Sequence, residues 1–163
     1  MLKNKEGIVR KRSLQTDKYE LKNLRFLGDF MKTVGLTTTS AGEKIGVSQV
    51  AIYYWLKKDD AKLSVVNKLI DACGYKLTFE YVSPEDFSES STTKIVIDAP
   101  DDRLLSFLSV ALADYDKEEV SKKIGLGGTT VYYWLSHDDM FVSYIFKIAE
   151  AIGKKVIITI RKK

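Results

Sequence analysis

Two pairs of adjacent aspartates, Asp59-Asp60 and Asp138-Asp139, are the residues whose type and spacing most suggest a chemical site. Neighbouring carboxylates can bind a metal ion, and His137 precedes the second pair. Catalysis would also require a nucleophile with a base to activate it, and the sequence shows no such pairing. Aspartates are equally typical of helix N-termini, where they cap backbone N–H groups. We therefore expect these pairs to cap helices, and we expect neither an enzyme active site nor a cofactor.

The sequence offers few other residues for metal or phosphate chemistry. With one cysteine, Cys73, and one histidine, it can form neither a four-cysteine nor a two-histidine zinc site. The run Gly125-Leu126-Gly127-Gly128 lacks the lysine and hydroxyl residue that end a phosphate-binding loop. No apolar run of about 18 residues predicts a membrane span, and the N-terminus does not resemble a secretory signal. These features favour a cytoplasmic protein.

The chain contains an internal repeat with an offset of 79 residues. Residues 44–60 read KIGVSQVAIYYWLKKDD, and residues 123–139 read KIGLGGTTVYYWLSHDD. The shared positions include both tyrosine pairs, both tryptophans and both aspartate pairs. In each copy an alternating segment follows, Leu77–Tyr81 in the first and Val156–Ile160 in the second. Two copies of one folding unit therefore account for most of the chain.

Charge and composition divide the chain into four segments. A basic N-terminal arm covers residues 1–18, the first repeat residues 19–82, a polar linker residues 83–93 and the second repeat residues 94–163. The formal net charge is +4, but acidic residues are concentrated between positions 83 and 102. Two basic blocks thus flank an acidic connector, as would suit a polyanionic partner; the alternative is a connector whose acids only aid solubility.

Apolar spacing predicts four helices and one strand in each repeat, so the fold class is mainly α with a small β component. In the first repeat we expect Thr38 or Thr39 to cap the second helix, Gly46 to end it and Ser48 to cap the third. The two terminal strands have unpaired edges and should join one antiparallel sheet, with Ile95–Ile97 as a candidate third strand. Pairing of the same edges between two chains is the alternative, and it would produce a homodimer.

The string from Ala41 to Leu56, with Gly42, Ile45, Val47, Ile52 and Trp55 at its small and apolar positions, resembles the phage-repressor (lambda-repressor-like, Cro-like) helix-turn-helix family. The second repeat resembles it also, but Gly127-Gly128 stands at the entrance to its recognition helix. Glycine costs about 1 kcal/mol relative to alanine in a helix. That helix is therefore expected either to begin later or to form only on contact with DNA.

The resemblance implies double-stranded DNA as the partner, with the third helix of each repeat in a major groove. It assigns base contacts to Ser48, Gln49, Val50 and Tyr54 in the first repeat and to Thr129, Thr130 and Tyr133 in the second. It assigns phosphate contacts to Lys44, Tyr53, Lys57, Lys58, Lys62, Lys122, Lys123 and Tyr132. Of these, Gln49 is the leading base reader, because its amide can donate to and accept from adenine.

The expected function is a transcriptional regulator of phage, prophage or bacterial type, associated with the nucleoid. Because Gln49 and Gly128 occupy equivalent positions, the two half-sites should differ in sequence. Two alternatives stay open. The helix-turn-helix units could serve as a protein-interaction scaffold, or they could belong to an antitoxin-type partner. Steep weakening of DNA binding with added salt would distinguish a DNA reader from a scaffold.

Overall fold

The computed structural model describes residues 19–87 and 103–163, and this part of the chain is mainly helical with a two-stranded antiparallel sheet. Contacts divide the chain between Asp59 and Asp60 into two compact units. The first unit contains α1 (Arg25–Thr33), α2 (Thr38–Ile45) and α3 (Gln49–Lys58). The second contains α4 (Leu63–Ala72), β1 (Tyr75–Val82), a 3-10 turn (Pro84–Asp86), α5 (Ser106–Ala111), α6 (Lys117–Lys123), α7 (Thr130–His137), α8 (Val142–Ala151) and β2 (Lys155–Lys162).

The start of α2 differs from the sequence expectation by one residue. Its cap is Thr37, whose hydroxyl accepts from the Ser40 N–H at 3.0 Å, while the Ser40 hydroxyl accepts from the Thr37 N–H at 2.8 Å. This reciprocal capping box satisfies two N–H groups at once, which a cap at Thr38 or Thr39 would not do here. The prediction of Thr38 or Thr39 as the cap was therefore wrong.

The turn between α2 and α3 begins and ends at the predicted residues. Gly46 ends α2 in the left-handed conformation at φ 73°, and the Ser48 hydroxyl accepts from the Ala51 N–H at 3.2 Å. Gly42 lies so close to this turn that a Cβ there would be 2.5 Å from the Val47 carbonyl oxygen. The turn therefore requires glycine at position 42 for close approach and at position 46 for its backbone angle.

The two strands pair as predicted. They run antiparallel over their full length, with Leu77 opposite Ile160 and Phe79 opposite Ile158. Leu77 and Phe79 are buried, as alternation in the sequence indicates. The candidate third strand at 95–97, the arm at 1–18 and most of the linker lie outside the described residues.

The aspartate pairs cap helices, but their targets are distant in sequence. Asp59 accepts from the N–H groups of Lys22, Asn23 and Leu24 at 2.9–3.0 Å, just before α1. Asp138 accepts from those of Leu104 and Leu105 at 2.8 Å, just before α5. The first aspartate of each pair therefore caps the first helix of its own repeat.

The second aspartate of each pair caps the other repeat. Within the second unit, Asp60 accepts from the N–H and the hydroxyl of Ser143 at the start of α8. Asp139 accepts from the same two groups of Ser64 at the start of α4. Since α4 is tied to α8 and β1 to β2, the last helix and strand of the first repeat fold as part of the second unit.

Aromatic packing closes the core of the second unit. The Phe107 ring of α5 lies 5.4 Å from Phe79 and 5.8 Å from Tyr81, measured between ring centroids. The Tyr81 hydroxyl donates to the Ile145 carbonyl of α8 at 2.6 Å. Strand β1 is thereby joined to α5 and α8, two helices that follow it in the sequence.

Candidate nucleic-acid interface

Helix α3 has one buried face and one exposed face. Ile52 and Leu56 are buried completely or nearly so, as the apolar spacing predicts, whereas Trp55, expected on the same face, is only partly buried. Three large side chains on the rest of the helix are exposed: Val50 at 54%, Tyr53 at 38% and Tyr54 at 52%. Ser48 and Gln49 at its start are exposed too. The first half of α3 thus presents its polar and aromatic side chains outward.

The Gln49 side chain is held by the neighbouring helix. Its Oε1 atom accepts a short hydrogen bond from the hydroxyl of Thr39 in α2. A carbonyl oxygen has two lone pairs and the amide NH2 has two hydrogens, so one acceptor position and the donors of Gln49 can still bind a partner. In the sequence Thr39 was considered only as a cap of α2 and not as a partner of Gln49. Its position in the first turn of α2, close to the start of α3 in the motif, was the available signal.

An aromatic cluster surrounds Tyr53. Its ring meets those of Tyr19 and Tyr54 edge to face, with centroids 6.2 and 5.9 Å apart. The Lys57 ammonium lies 5.8 Å from the Tyr53 centroid, within the range of a cation–π contact. These contacts restrict Tyr53 and draw Lys57 to the same surface. Tyr19 had not been singled out, because nothing in its local pattern indicates an aromatic neighbour.

The other predicted phosphate contacts of the first repeat are exposed. Lys44 lies in the last turn of α2, and Lys58 is the last residue of α3. Among the described residues neither ammonium group has an acidic partner. Lys62 lies in the second compact unit, where it precedes α4 and forms a backbone bridge with Phe141. The structure therefore brings Lys44, Lys57 and Lys58 together on one unit with α3, and it assigns Lys62 to the other.

Helix α7 of the second repeat starts two positions later than α3, as the glycines predict. It begins at Thr130, and its N-cap residue Thr129 makes no side-chain cap. Ser121, fully buried at the position equivalent to Gly42, supplies the missing acceptor instead. Its hydroxyl accepts from the Val131 N–H at 3.1 Å and donates to the Lys117 carbonyl at 2.9 Å. One serine thus replaces the cap that Ser48 provides in the first repeat.

The exposed tyrosines of α7 have different neighbours from those of α3. Tyr132 and Tyr133 are both exposed, but the Tyr133 ring stacks on His137 with centroids 3.9 Å apart. The His137 Nδ1 atom is also 2.9 Å from the Tyr133 carbonyl oxygen. Thr129 is exposed, whereas Thr130 is only partly so. The candidate base contacts of the second repeat are therefore two short hydroxyls and one tyrosine ring stacked on a histidine.

The predicted phosphate contacts of the second repeat have partners of their own. Lys122 forms an ion pair with Glu118 at 2.9 Å, and this hydrogen bond raises the pKa of the lysine. The Lys123 ammonium lies 3.4 Å from the Ala151 carbonyl oxygen at the end of α8. Both lysines that the resemblance assigns to phosphate contacts thus bind groups of the protein itself.

The four aspartates of the two pairs are engaged as helix caps. All four accept backbone N–H groups. Within residues 19–87 and 103–163 no cluster of metal-ligating side chains is found. Cys73 follows α4 and is partly buried rather than fully so. In the same residues no helix has the length and apolar character needed to cross a membrane.

Comparison of the chain with protein-family models, with curated proteins and with solved structures finds no match. The geometry of the two repeats is therefore the basis for a functional proposal.

Proposed function

We propose that this protein is a sequence-specific binder of double-stranded DNA, with two tandem helix-turn-helix units of the phage-repressor type, and that it regulates transcription at the nucleoid. The observation that carries the proposal is the exposed face in the first half of α3. The helix follows a three-residue turn and is capped by Ser48, and its Gln49, Val50, Tyr53 and Tyr54 side chains are exposed while Ile52 faces the core. A helix presented in this way fits the major groove, whose width admits one α-helix.

The groove-facing residues of α3 differ in what they can bind. Gln49 offers amide donors and a remaining acceptor, which suits the edge of adenine. Val50 can contact the methyl group of thymine, and Ser48 can donate to or accept from either kind of base. Tyr54, with its ring exposed, carries a hydroxyl for a base or a phosphate. Together these residues supply sequence discrimination.

The surrounding cations supply affinity. Lys44, Lys57 and Lys58 lie in the last turns of α2 and α3, on the unit that presents the exposed helix face. Each lysine that neutralises a phosphate releases bound counterions, so affinity falls as salt rises. This sequence-independent attraction complements the base contacts of α3.

Selection of bound duplexes from a random pool, followed by affinity measurements on the full chain at several salt concentrations, tests the proposal. We expect an enriched motif and affinity that falls steeply between low and moderate salt. Lys58→Ala should weaken binding to every sequence, while Lys68→Ala, an exposed lysine of α4, should leave binding unchanged. Absence of any enriched motif would overturn the proposal. Salt-independent capture of a protein would instead support the scaffold or antitoxin-type alternative.

A further inference from the structure

The first turn of α6 carries negative charge that the equivalent turn of α2 does not. In the first repeat α2 starts with the neutral Thr37–Ser40 capping box and has no acidic residue in its first turn. In the second repeat the Asp116 carboxylate accepts from the N–H groups of Glu118 and Glu119, and both glutamates are exposed. The partial positive charge of this helix end is thus already matched by carboxylates.

The lysines of α6 do not offset this charge toward an incoming phosphate. The Lys117 ammonium lies 3.4 Å from the Leu112 carbonyl oxygen, and Lys123 lies against the Ala151 carbonyl. Lys122 is paired with Glu118. Transfer of Lys122 to a phosphate would exchange one anionic partner for another and would leave the Glu118 carboxylate unpaired beside the duplex. A contact between Lys122 and a phosphate would therefore add little to the affinity for DNA.

The same ion pair occupies the position where the first repeat presents its base reader. Gly128 corresponds to Gln49, and a Cβ at Gly128 would lie 2.8 Å from Cγ of Glu118 and 3.5 Å from Cε of Lys122. The equivalents of Glu118 and Gly128 in the first repeat are Thr39 and Gln49, which form the hydrogen bond that holds the glutamine amide. Where the first repeat has the neutral Thr39–Gln49 pair with its amide donors, the second repeat therefore has the Glu118 side chain beside Gly128.

From these three observations we infer that Glu118 and Glu119 exclude the α6–α7 surface from the duplex, so that each chain contacts DNA through α2 and α3 of the first repeat alone. The inference rests on the proposed DNA-binding function and changes one expectation from the sequence, namely that both repeats occupy half-sites. Lys44 and Lys58 have no acidic partner within residues 19–87 and 103–163 and can meet phosphates, whereas carboxylates stand at the start of α6. The selected DNA should hence contain one block of preferred base pairs rather than two blocks a helical turn apart.

Matched double variants of the full chain test the inference. Lys44→Ala/Lys58→Ala should reduce the slope of log affinity against log salt by about 1.8, since each phosphate contact contributes about 0.9. Lys122→Ala/Lys123→Ala should leave the slope as in the wild type. Glu118→Thr/Glu119→Ser, which introduces the residues of the first repeat, should steepen the slope because Lys122 is released. All six residues are exposed, so the fold should persist, and circular dichroism checks this.

The outcomes separate the two proposals. If the wild-type chain binds DNA and the second-repeat lysine variant flattens the slope as much as the first-repeat variant does, the inference is wrong and the proposed function stands. The same holds if the selected DNA has two blocks of preference, or if the glutamate variant leaves the slope unchanged. If the wild-type chain binds no DNA, both proposals fall together.

Discussion

Asp60 and Ser143 are 83 residues apart in the chain and are joined by two hydrogen bonds, from the serine N–H at 2.9 Å and from its hydroxyl at 2.7 Å. The same pattern links Asp139 to Ser64. These reciprocal caps bring the last helices of the two repeats together within one compact unit. An aspartate pair that suggests a metal site in the sequence is thus a connector between repeats.

Replacement of Asp60 should destabilise the second unit. Asp60→Ala removes the cap of α8 and leaves two donors of Ser143 without their acceptor, so we expect a loss of about 1–2 kcal/mol in the free energy of unfolding. Urea denaturation followed by circular dichroism measures the change. Asp114→Ala, at an exposed aspartate between α5 and α6, is the matched control and should change stability little. Equal midpoints for the two variants would show that the cap contributes nothing.

Removal of the Ser121 hydroxyl should be costly because it leaves a donor at the start of α7 without its acceptor. Ser121→Ala takes the acceptor from the Val131 N–H, and an unsatisfied buried donor costs about 1–3 kcal/mol. Hydrogen exchange at Val131 should accelerate as well, which separates a local cap from a general loss of packing. Ser136→Ala, an exposed serine of α7, is the control. Unchanged exchange at Val131 would contradict the assigned cap.

Tyr81 should make stability fall at alkaline pH. Burial raises the pKa of its hydroxyl above the value of about 10 found in the unfolded chain. The folded state then keeps a proton that the unfolded state releases, so this stabilisation is complete below about pH 10 and declines as the pH rises further. The slope should approach about 1.4 kcal/mol per pH unit.

Urea unfolding of the wild type and of Tyr81→Phe between pH 9 and pH 11 measures this slope. The phenylalanine variant should lose stability less steeply above pH 10, although it lacks the hydrogen bond to the Ile145 carbonyl. Tyr132→Phe, at an exposed tyrosine, should follow the wild-type curve. Parallel curves for the wild type and Tyr81→Phe would mean that Tyr81 ionises alike in both states.

Gln49→Ala should change specificity as well as affinity. We expect a loss of about 1–3 kcal/mol in binding to the selected sequence and relaxed preference at one base pair. Thr39→Ala should produce the same relaxation with a smaller loss, because it frees the amide that Thr39 holds. Lys57→Ala should instead weaken binding to all sequences alike and reduce the salt slope by about 1. A uniform loss for Gln49→Ala would place Gln49 outside the base contacts.

Local features of the fold were predictable because their causes are local. Gly46 and Ser48 end and begin helices through their own backbone angle and hydroxyl, and the sequence placed both correctly. The later start of α7 followed from the two glycines before it. The cap of α2 was misplaced by one residue, since the sequence offers four consecutive hydroxyl residues and only the reciprocal bond between Thr37 and Ser40 distinguishes them.

By itself, the sequence determined the repeat, the helical periodicity and the presence of the two terminal strands, because these are read from the order and spacing of residues along the chain. Only the tertiary structure decided that those strands pair within one chain, which repeat each aspartate caps, that Ser121 replaces Ser48 as a cap, and that Glu118 lies over Gly128. Those relationships join residues on different helices. Their distances depend on how whole elements pack, and no pattern along one segment contains that information.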